Sequence, residues 1–564
     1  MPDLLSGLPG TLGGALHRAA RDFPDRGIAV FDSRGRKADR RPYAALDAAA
    51  RMNAARFAAL RIAEREPVLI ALPTSWEWIE TWFGVLLRGA WPVAAPAVGA
   101  LASAGVQLEK IDTVRRDIGA RRVVSSDGFR RRAREHGLGE LAERTITPAE
   151  IAAVTPQRAF AAPPADPGDT AFLQLTSGST GLPRAVMIPH RAAIHNPMAS
   201  AEAIGAPHGE PVHHWADAMV SWLPLYHDMG LVGCLLLPIL AGLDTWLLRP
   251  RTFLARPRLW LEQLGSHGTA FVPAPNFAYQ LCVERLGARA LDGLDLSLWK
   301  AALTGAEMIR PETTEAFQAT FASCGFTPAA FRPCYGLAEA TLTVSLDRRG
   351  EGVRTRRAPP AADAGPGLTE AVSTGEPIRD TQVGIAALDG TALPEDRIGE
   401  VRVKGPGQFL GYHNHPEERA ASLSGGWFAT GDLGFVHAGE LYLTGRTKDV
   451  IIVRGETRMP HEIEWVADGV TGGGGLLRSA AFSVARGARG EQVVVVVESG
   501  LREPQRLREL DREIRVRIGR DLGLPLADLA FVRRGRIPRT SSGKTQRQQL
   551  RRTYLEGRLE RLEA

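Results

Sequence analysis

Residues Thr176-Ser177-Gly178-Ser179-Thr180-Gly181 form an unbroken run of hydroxyls and glycines without charge, directly after the mostly apolar stretch Ala171 to Leu175. The apolar stretch reads as the end of a buried strand. Glycines let backbone N–H groups approach an anion closely, and Ser and Thr hydroxyls add donors, so the run is suited to wrapping a polyphosphate. It is not a Walker A loop, because Gly178 and Gly181 lack that spacing and no Gly-Lys-Ser/Thr follows. The second chemical candidate is Lys544. The chain carries 69 Lys and Arg residues, and only Lys37, Lys110, Lys300, Lys404, Lys448 and Lys544 are lysine. In such a chain a retained lysine marks a place where the fixed fork of arginine is an inadequate substitute. Lys544 also follows Ser541-Ser542-Gly543, a turn able to swing an ammonium into a cleft.

The elements around these residues must supply that cleft. At 564 residues the chain exceeds one ordinary core, and two to four folding units are expected. With 44% hydrophobic and 23% charged residues it has the composition of a globular protein. No apolar run is long enough to span a bilayer, and Met1 to Thr11 lacks a basic region followed by an apolar core, so a cytoplasmic protein is expected. Cys234, Cys282, Cys324 and Cys334 show no metal-ligand spacing, which fits a reducing compartment. Arg533 to Arg552 is densely basic, but no aromatic interleaving or helix-turn-helix cue points to nucleic acid. A solvated face, or a docking face for an acidic partner, is the expectation there.

Thr11 to Phe23, Tyr43 to Ala63, Trp76 to Arg88 and Val106 to Ile118 read as helices, alternating with short apolar strands at Val68 to Leu72, Pro92-Val93 and Arg122 to Ser125. That alternation argues for a parallel α/β unit. A second such unit is expected over about Thr170 to Thr343. Within it Val220 to Pro224 reads as a strand, Leu231 to Leu240 as a buried helix or strand, and Asn276 to Leu286 and Pro311 to Ala322 as helices. Leu346 to Thr369 lacks periodicity and reads as loop or insertion. Val372 to Phe435 reads as a small β subdomain, and the chain from Lys448 onward as an α+β unit.

Five motifs then stand in order: Thr176 to Arg184, Tyr335-Gly336-Leu337-Ala338-Glu339, Thr430-Gly431-Asp432, Gly445-Arg446-Thr447-Lys448-Asp449 and Pro538 to Lys544. Together they resemble the adenylate-forming superfamily of acyl-CoA synthetases, peptide-synthetase adenylation domains and luciferases, over about residues 11 to 553. The resemblance implies an α/β N-terminal AMP-binding domain, residues 1–447, made of two doubly wound subdomains and a small β subdomain. A mobile α+β C-terminal domain, 448–564, would rotate about Asp449. It implies that ATP and Mg²⁺ are used to join a carboxylate to the α-phosphate, two anions whose repulsion has to be offset by positive charge and in-line positioning. Lys544 would bridge the carboxylate and α-phosphate, and Glu339 would hold Mg²⁺. Asp432 and Arg446 would contact ribose, with Tyr335 stacking on adenine beside Gly336 and Ala338. Gly305-Ala306-Glu307 would form the base slot. Thr176, Ser177, Gly178, Ser179, Thr180, Gly181 and Arg184 would hold the β- and γ-phosphates. Arg184 stands where the family usually has Lys, and Ala338 where many members have Thr.

Ala338 is typical of the fatty acyl-AMP ligase branch, which Tyr226-His227-Asp228-Met229-Gly230-Leu231, Ala274 to Cys282 and Thr304 to Glu307 also resemble. The branch implies a medium- or long-chain fatty acid activated as acyl-AMP and passed to the phosphopantetheine thiol of an acyl carrier protein in polyketide or peptide assembly. His227 and the apolar residues around Phe277 would line the acyl entrance. The branch carries an insertion after the metal glutamate, and the corresponding stretch here, Leu342 to Ala371, is shorter than a full one. Acyl-CoA ligase activity is therefore the alternative.

Overall fold

The computed structural model describes residues 7–98, 104–156, 162–176, 183–209, 212, 216–287, 290–359, 370–387, 389–453, 456–471, 479–485, 491–539 and 544–563. The first sheet has six strands in the order Thr145–Ile146, Arg122–Val124, Pro67–Ile70, Trp91–Ala94, Thr170–Leu175, Ala185–Pro189. All neighbours are parallel except the last pair. All four residues of Pro67–Ile70 are buried, as expected for a strand covered on both faces. The helix Trp76–Leu87 begins where the Ser75 hydroxyl accepts from the Trp78 N–H, and ten of its twelve residues are buried. Only Glu77 and Glu80 are not buried, and Glu80 pairs with Arg41 at 2.6 Å, so the rest of the helix surface is covered.

Two of the sequence expectations need correction here. The second α/β unit does not begin at Thr170: the hairpin Thr170–Leu175/Ala185–Pro189 extends the first sheet through Val93↔Leu173. Conversely Gly27–Phe31 leaves the first unit to pair in parallel with Asp244–Leu247, in a four-stranded sheet with Ala38–Pro42 and Ala218–Ser221. The added hairpin covers an edge of the first sheet that would otherwise present unpaired backbone groups. Second, the stretch read as loop from Leu346 to Thr369 contains the strand Thr355–Arg357, paired with Glu370–Val372. All three of its residues are exposed, so no apolar period betrays it. The ambiguous Leu231 to Leu240 is helical, with a π-helical stretch Met229–Leu236 leading into the α-helix Leu237–Ala241.

A third sheet, Phe271–Pro275, Ala301–Gly305, Phe331–Gly336, Thr343–Leu346 and Glu376–Pro377, ends its central strands at Gly305 and Gly336. The β-rich part is a six-stranded sheet that runs on past Phe435, through the hairpin Trp427–His437/Glu440–Arg446, to Arg446. Its turn, Ala438-Gly439, has positive φ at both residues, the twist that matches a tight hairpin. In the C-terminal chain the sheet Ser479–Ala485, Glu491–Ser499, Leu526–Arg533 is buried on both sides. Val493, Val495 and Val497 join a core with Ile514 and Ile518 of the helix Pro504–Leu522, while Val494 and Val496 face Leu550 of the helix Arg547–Leu555. The two-residue pleat divides these valines between the cores. Among the described residues no helix is long and apolar enough to cross a membrane.

Candidate active site

Tyr335 leaves the buried strand Phe331–Gly336 with its hydroxyl donating to Asp432 Oδ2 at 2.6 Å. Asp432 Oδ1 pairs with Arg446 Nε at 2.8 Å. The hairpin register places Asp432 opposite Arg446, so strand pairing itself builds the ion pair. Tyr335 and Asp432 are both buried. Burial and the Asp432 charge push the Tyr335 phenol far above its ordinary range, so it stays a donor. Each Asp432 oxygen has a second lone pair, which leaves capacity for two more donors.

Glu339 sits in a short 3₁₀ turn, Ala338–Ala340, after that strand. Two residues on, Thr341 has φ +70° and ψ −54°, and Leu342 N–H donates to Ala340 O at 2.9 Å. This is a γ-turn of the rare, strained hand. Such a backbone persists only when its surroundings impose it. Here Asn196 Nδ2 donates to Ala340 O (3.1 Å) and Thr343 O (2.7 Å), while the Thr341 hydroxyl donates to Gly407 O (2.7 Å). Gly336 lies so close to the Leu342 carbonyl that a Cβ would collide with it. The Glu339 carboxylate accepts from the Tyr412 hydroxyl at 2.9 Å. Desolvation pushes its pKa up, and the nearby Asp228 charge adds to the rise.

Lys544 is half-buried, and its charge acts on Asp228, Asp432 and Glu307. Burial lowers its pKa, Arg446 adds to the lowering, and the three carboxylates oppose it. Glu307 accepts from the Phe277 N–H at 2.7 Å, and burial raises its pKa. Between Gly305 and Glu307, Ala306 takes φ +67°, a strained conformation for a residue with a side chain. His227 Nδ1 lies 2.7 Å from Asp228 Oδ1. Burial would raise the Asp228 pKa, but the His227 charge and hydrogen bond, with help from Lys544, hold it below the ordinary value. Gln174 ties this loop to the phosphate-loop strand by donating to Tyr226 O at 3.0 Å.

Thr176 N–H donates to Arg184 O at 2.9 Å and closes the hairpin loop between them. Ser177, Gly178, Ser179, Thr180 and Gly181 lie outside the described residues. Arg184 is engaged by protein groups: Nη1 is 2.6 Å from Glu418 Oε2, and the guanidinium lies 5.5 Å from the centroid of Tyr412. Asp449, in the turn Thr447–Asp449, pairs with Arg547 Nη1 at 3.1 Å. The structure therefore brings Tyr335, Asp432, Arg446, Lys544, Glu307 and Asp228 into one electrostatic neighbourhood, with Glu339 beside Asp228 and Arg446. Asn196 and Tyr412 are site-building residues that sequence reasoning does not single out. The available signals are an Asn-Pro pair inside the Ala-rich helix His190–Gly205, and a tyrosine flanked by Gly411 and His413.

Buried Tyr335 and Asp432 with half-exposed Arg446, a carboxylate on a strained turn and a lysine from the C-terminal chain are the groups that the resemblance to adenylate-forming ligases implies. The comparisons agree. The chain belongs to the family of AMP-binding enzymes, whose model matches residues 16–413. It is 33% identical over 552 residues to a putative acyl-CoA synthetase of Caulobacter vibrioides, covering 94% of this chain and 93% of that protein. It is also 33% identical to the medium-chain fatty acid–[acyl-carrier-protein] ligase JamA of Moorena producens, covering 89% and 88%. A solved structure from work on the fatty acyl-adenylate ligases of E. coli and L. pneumophila is 31% identical, with a TM-score of 0.86 over 97% of this chain and 98% of that one. The protein is an ATP-dependent, adenylate-forming acid ligase, and its resemblance to the fatty acyl-AMP ligase branch is borne out.

Proposed function

We propose that the protein activates a medium- or long-chain fatty acid as its acyl-adenylate and transfers the acyl group to the phosphopantetheine thiol of an acyl carrier protein. The observation that carries the reading is the Tyr335–Asp432–Arg446 cluster, held at 2.6 and 2.8 Å, on which the charge of Lys544 acts. In the first step a carboxylate oxygen attacks the α-phosphorus of ATP, and the bond to pyrophosphate breaks. The Lys544 ammonium offsets the charge that gathers between the two anions. Asp432 orients the ribose through its free lone pairs, and Tyr335 and the Gly305-Ala306-Glu307 slot hold the base. The loop from Thr176 to Arg184 receives the β- and γ-phosphates. In the second step the thiol sulfur attacks the acyl carbon and AMP leaves. His227 and Phe277 stand at the acyl entrance. Residues 1–447 and 448–564 act as the two domains, joined at Asp449.

Glu339 suits Mg²⁺: a desolvated carboxylate beside the Asp228 charge is relieved by a hard dication, which takes one or two carboxylates plus substrate phosphates. When bound, the ion neutralises phosphate charge.

The carrier as acceptor is supported by likeness to JamA, and coenzyme A by likeness to the Caulobacter protein. The experiment is incubation with ATP and a series of fatty acids, followed by detection of acyl-AMP. Acyl-AMP from a C8–C16 acid supports the reading; no adenylate from any acid overturns it. Adding coenzyme A or a holo carrier protein to the same mixture then separates the acceptors, and faster acyl-CoA formation would replace the carrier reading.

A further inference from the structure

Arg310 closes the segment that begins with the base slot. Its N–H donates to Asn276 Oδ1 at 3.2 Å, and Glu307 accepts from Phe277 N–H, so the start of the helix Asn276–Arg285 fixes both ends of 307–310. The Arg310 side chain is 14% exposed and reaches out of this segment to the C-terminal chain. Its guanidinium lies 5.1 Å from the centroid of Trp465, and Nη2 is 3.8 Å from Asp468 Oδ2, both on the helix Pro460–Val470. Asp468 is itself fixed, accepting from Ser479 Oγ at 2.8 Å. On the same helix, fully buried Glu464 is held by both arms of Arg547 at 2.7 Å, and Arg547 also reaches Asp449. A run of contacts therefore links the Glu307 segment, through Arg310 and the Pro460–Val470 helix, to Arg547, which opens the helix Arg547–Leu555 three residues beyond Lys544.

We propose that Arg310 is a positioning residue for adenylation: by stacking on Trp465 and pairing with Asp468 it docks the C-terminal chain so that Lys544 sits at the Asp432–Arg446 cluster. Arg310 touches no reacting atom. A guanidinium suits the task because its face can stack while its edge pairs, which an ammonium cannot do. The inference rests on the reading of Lys544 as the lysine of the adenylation step.

The test compares wild type with Arg310→Met, Arg310→Lys, Trp465→Leu and Lys544→Ala, using the fatty acid that wild type turns over fastest. Three quantities are read: acid-dependent pyrophosphate–ATP exchange, transfer from supplied acyl-adenylate to the acceptor that wild type uses, and Tm. Arg310→Met is expected to lower kcat for exchange about 30-fold, the size of a desolvated cation–π contact, with little change in KM for ATP. Transfer from supplied adenylate stays within about twofold, as expected where the contact serves only the first step. Arg310→Lys falls between, and Trp465→Leu adds little to Arg310→Met because the two share one contact. Unchanged exchange in Arg310→Met overturns the proposal, as does an equal fall in both half-reactions together with Tm, which marks a merely structural role. If Lys544→Ala abolishes exchange while Arg310→Met leaves it at the wild-type rate, only this inference fails. If Lys544→Ala leaves exchange intact, the underlying reading fails.

Discussion

Arg184 and Glu418 form a 2.6 Å ion pair between the end of the phosphate loop and the helix Pro416–Ser422. Both side chains are about 30% exposed, so solvent screens the pair and its worth is about 1 kcal/mol or less. If the loop receives the triphosphate as proposed, the phosphates compete with Glu418 for this guanidinium. Glu418→Gln is therefore expected to lower KM for ATP about two- to fivefold without changing kcat. Steady-state kinetics with ATP as the varied substrate check this; an unchanged or raised KM would mean that Arg184 does not meet the phosphates.

Removing the Tyr335 hydroxyl tests the Asp432 cluster. Tyr335→Phe keeps the ring but strips Asp432 Oδ2 of its 2.6 Å donor in a buried place. Hydrogen bonds to charged groups are worth roughly 1.5–3 kcal/mol. A fall in kcat/KM for ATP of about 10- to 100-fold is expected, with a modest loss of Tm. Isothermal titration with ATP and a thermal melt distinguish loss of ribose orientation from general unfolding.

Glu339 sets activity against stability. Its folded pKa lies above the unfolded value of 4.5, chiefly through desolvation. The folded state thus binds the proton more tightly, and the carboxylate destabilises the ligand-free fold once pH rises through the folded value. Glu339→Gln removes that buried charge while its carbonyl can still accept from Tyr412. A higher Tm without ligands, and loss of adenylation by at least about 10²-fold, are expected together. A lower Tm would show that the carboxylate is instead stabilised by the site.

Lys544→Ala is expected to reduce acyl-AMP formation about 10²- to 10³-fold while leaving ATP affinity nearly unchanged, since the ammonium acts where charge gathers during reaction. Lys544→Arg should rescue little, because a fork bonded to fixed partners is not a compact point charge. Nucleotide binding measured alongside single-turnover adenylate formation separates the two effects.

The helix Pro311–Phe321, expected over Pro311 to Ala322, is legible to within a residue because proline opens it. The neighbourhood of Tyr335, Glu339, Asp432 and Lys544 can be expected from the sequence because those residues lie in short motifs. What is not legible is pairing across distance. Nothing local tells that Ile28 will sit beside Thr245, or that the strand Thr170–Leu175 will complete the earlier sheet. The same holds for Arg184: its own neighbours announce a phosphate contact, and only the fold brings Glu418 to it. Asn196 is hidden for another reason. A buried polar residue in a helix interrupts the apolar pattern and looks like noise until the strained turn at Thr341 shows what it holds.

Two histidines far from each other predict the acid limit of the fold. His190 is buried where it accepts from the Leu12 N–H at 3.2 Å, and burial lowers its pKa to about 4. His461, against Trp465, is lowered to about 4 by burial and then by Arg547. Both are neutral in the folded state and take up protons near 6.5 when unfolded. Their stability contribution is thus fully present above pH 6.5 and is lost as pH falls from 6.5 towards 4. A shift of this size is worth roughly 3 kcal/mol per group. His190→Asn keeps a side-chain acceptor for Leu12 N–H but cannot titrate. Its Tm is expected to fall less steeply than that of wild type between pH 6.5 and 4, whatever its value at pH 7.5. An identical slope in the two proteins would show that His190 is not held neutral by its burial.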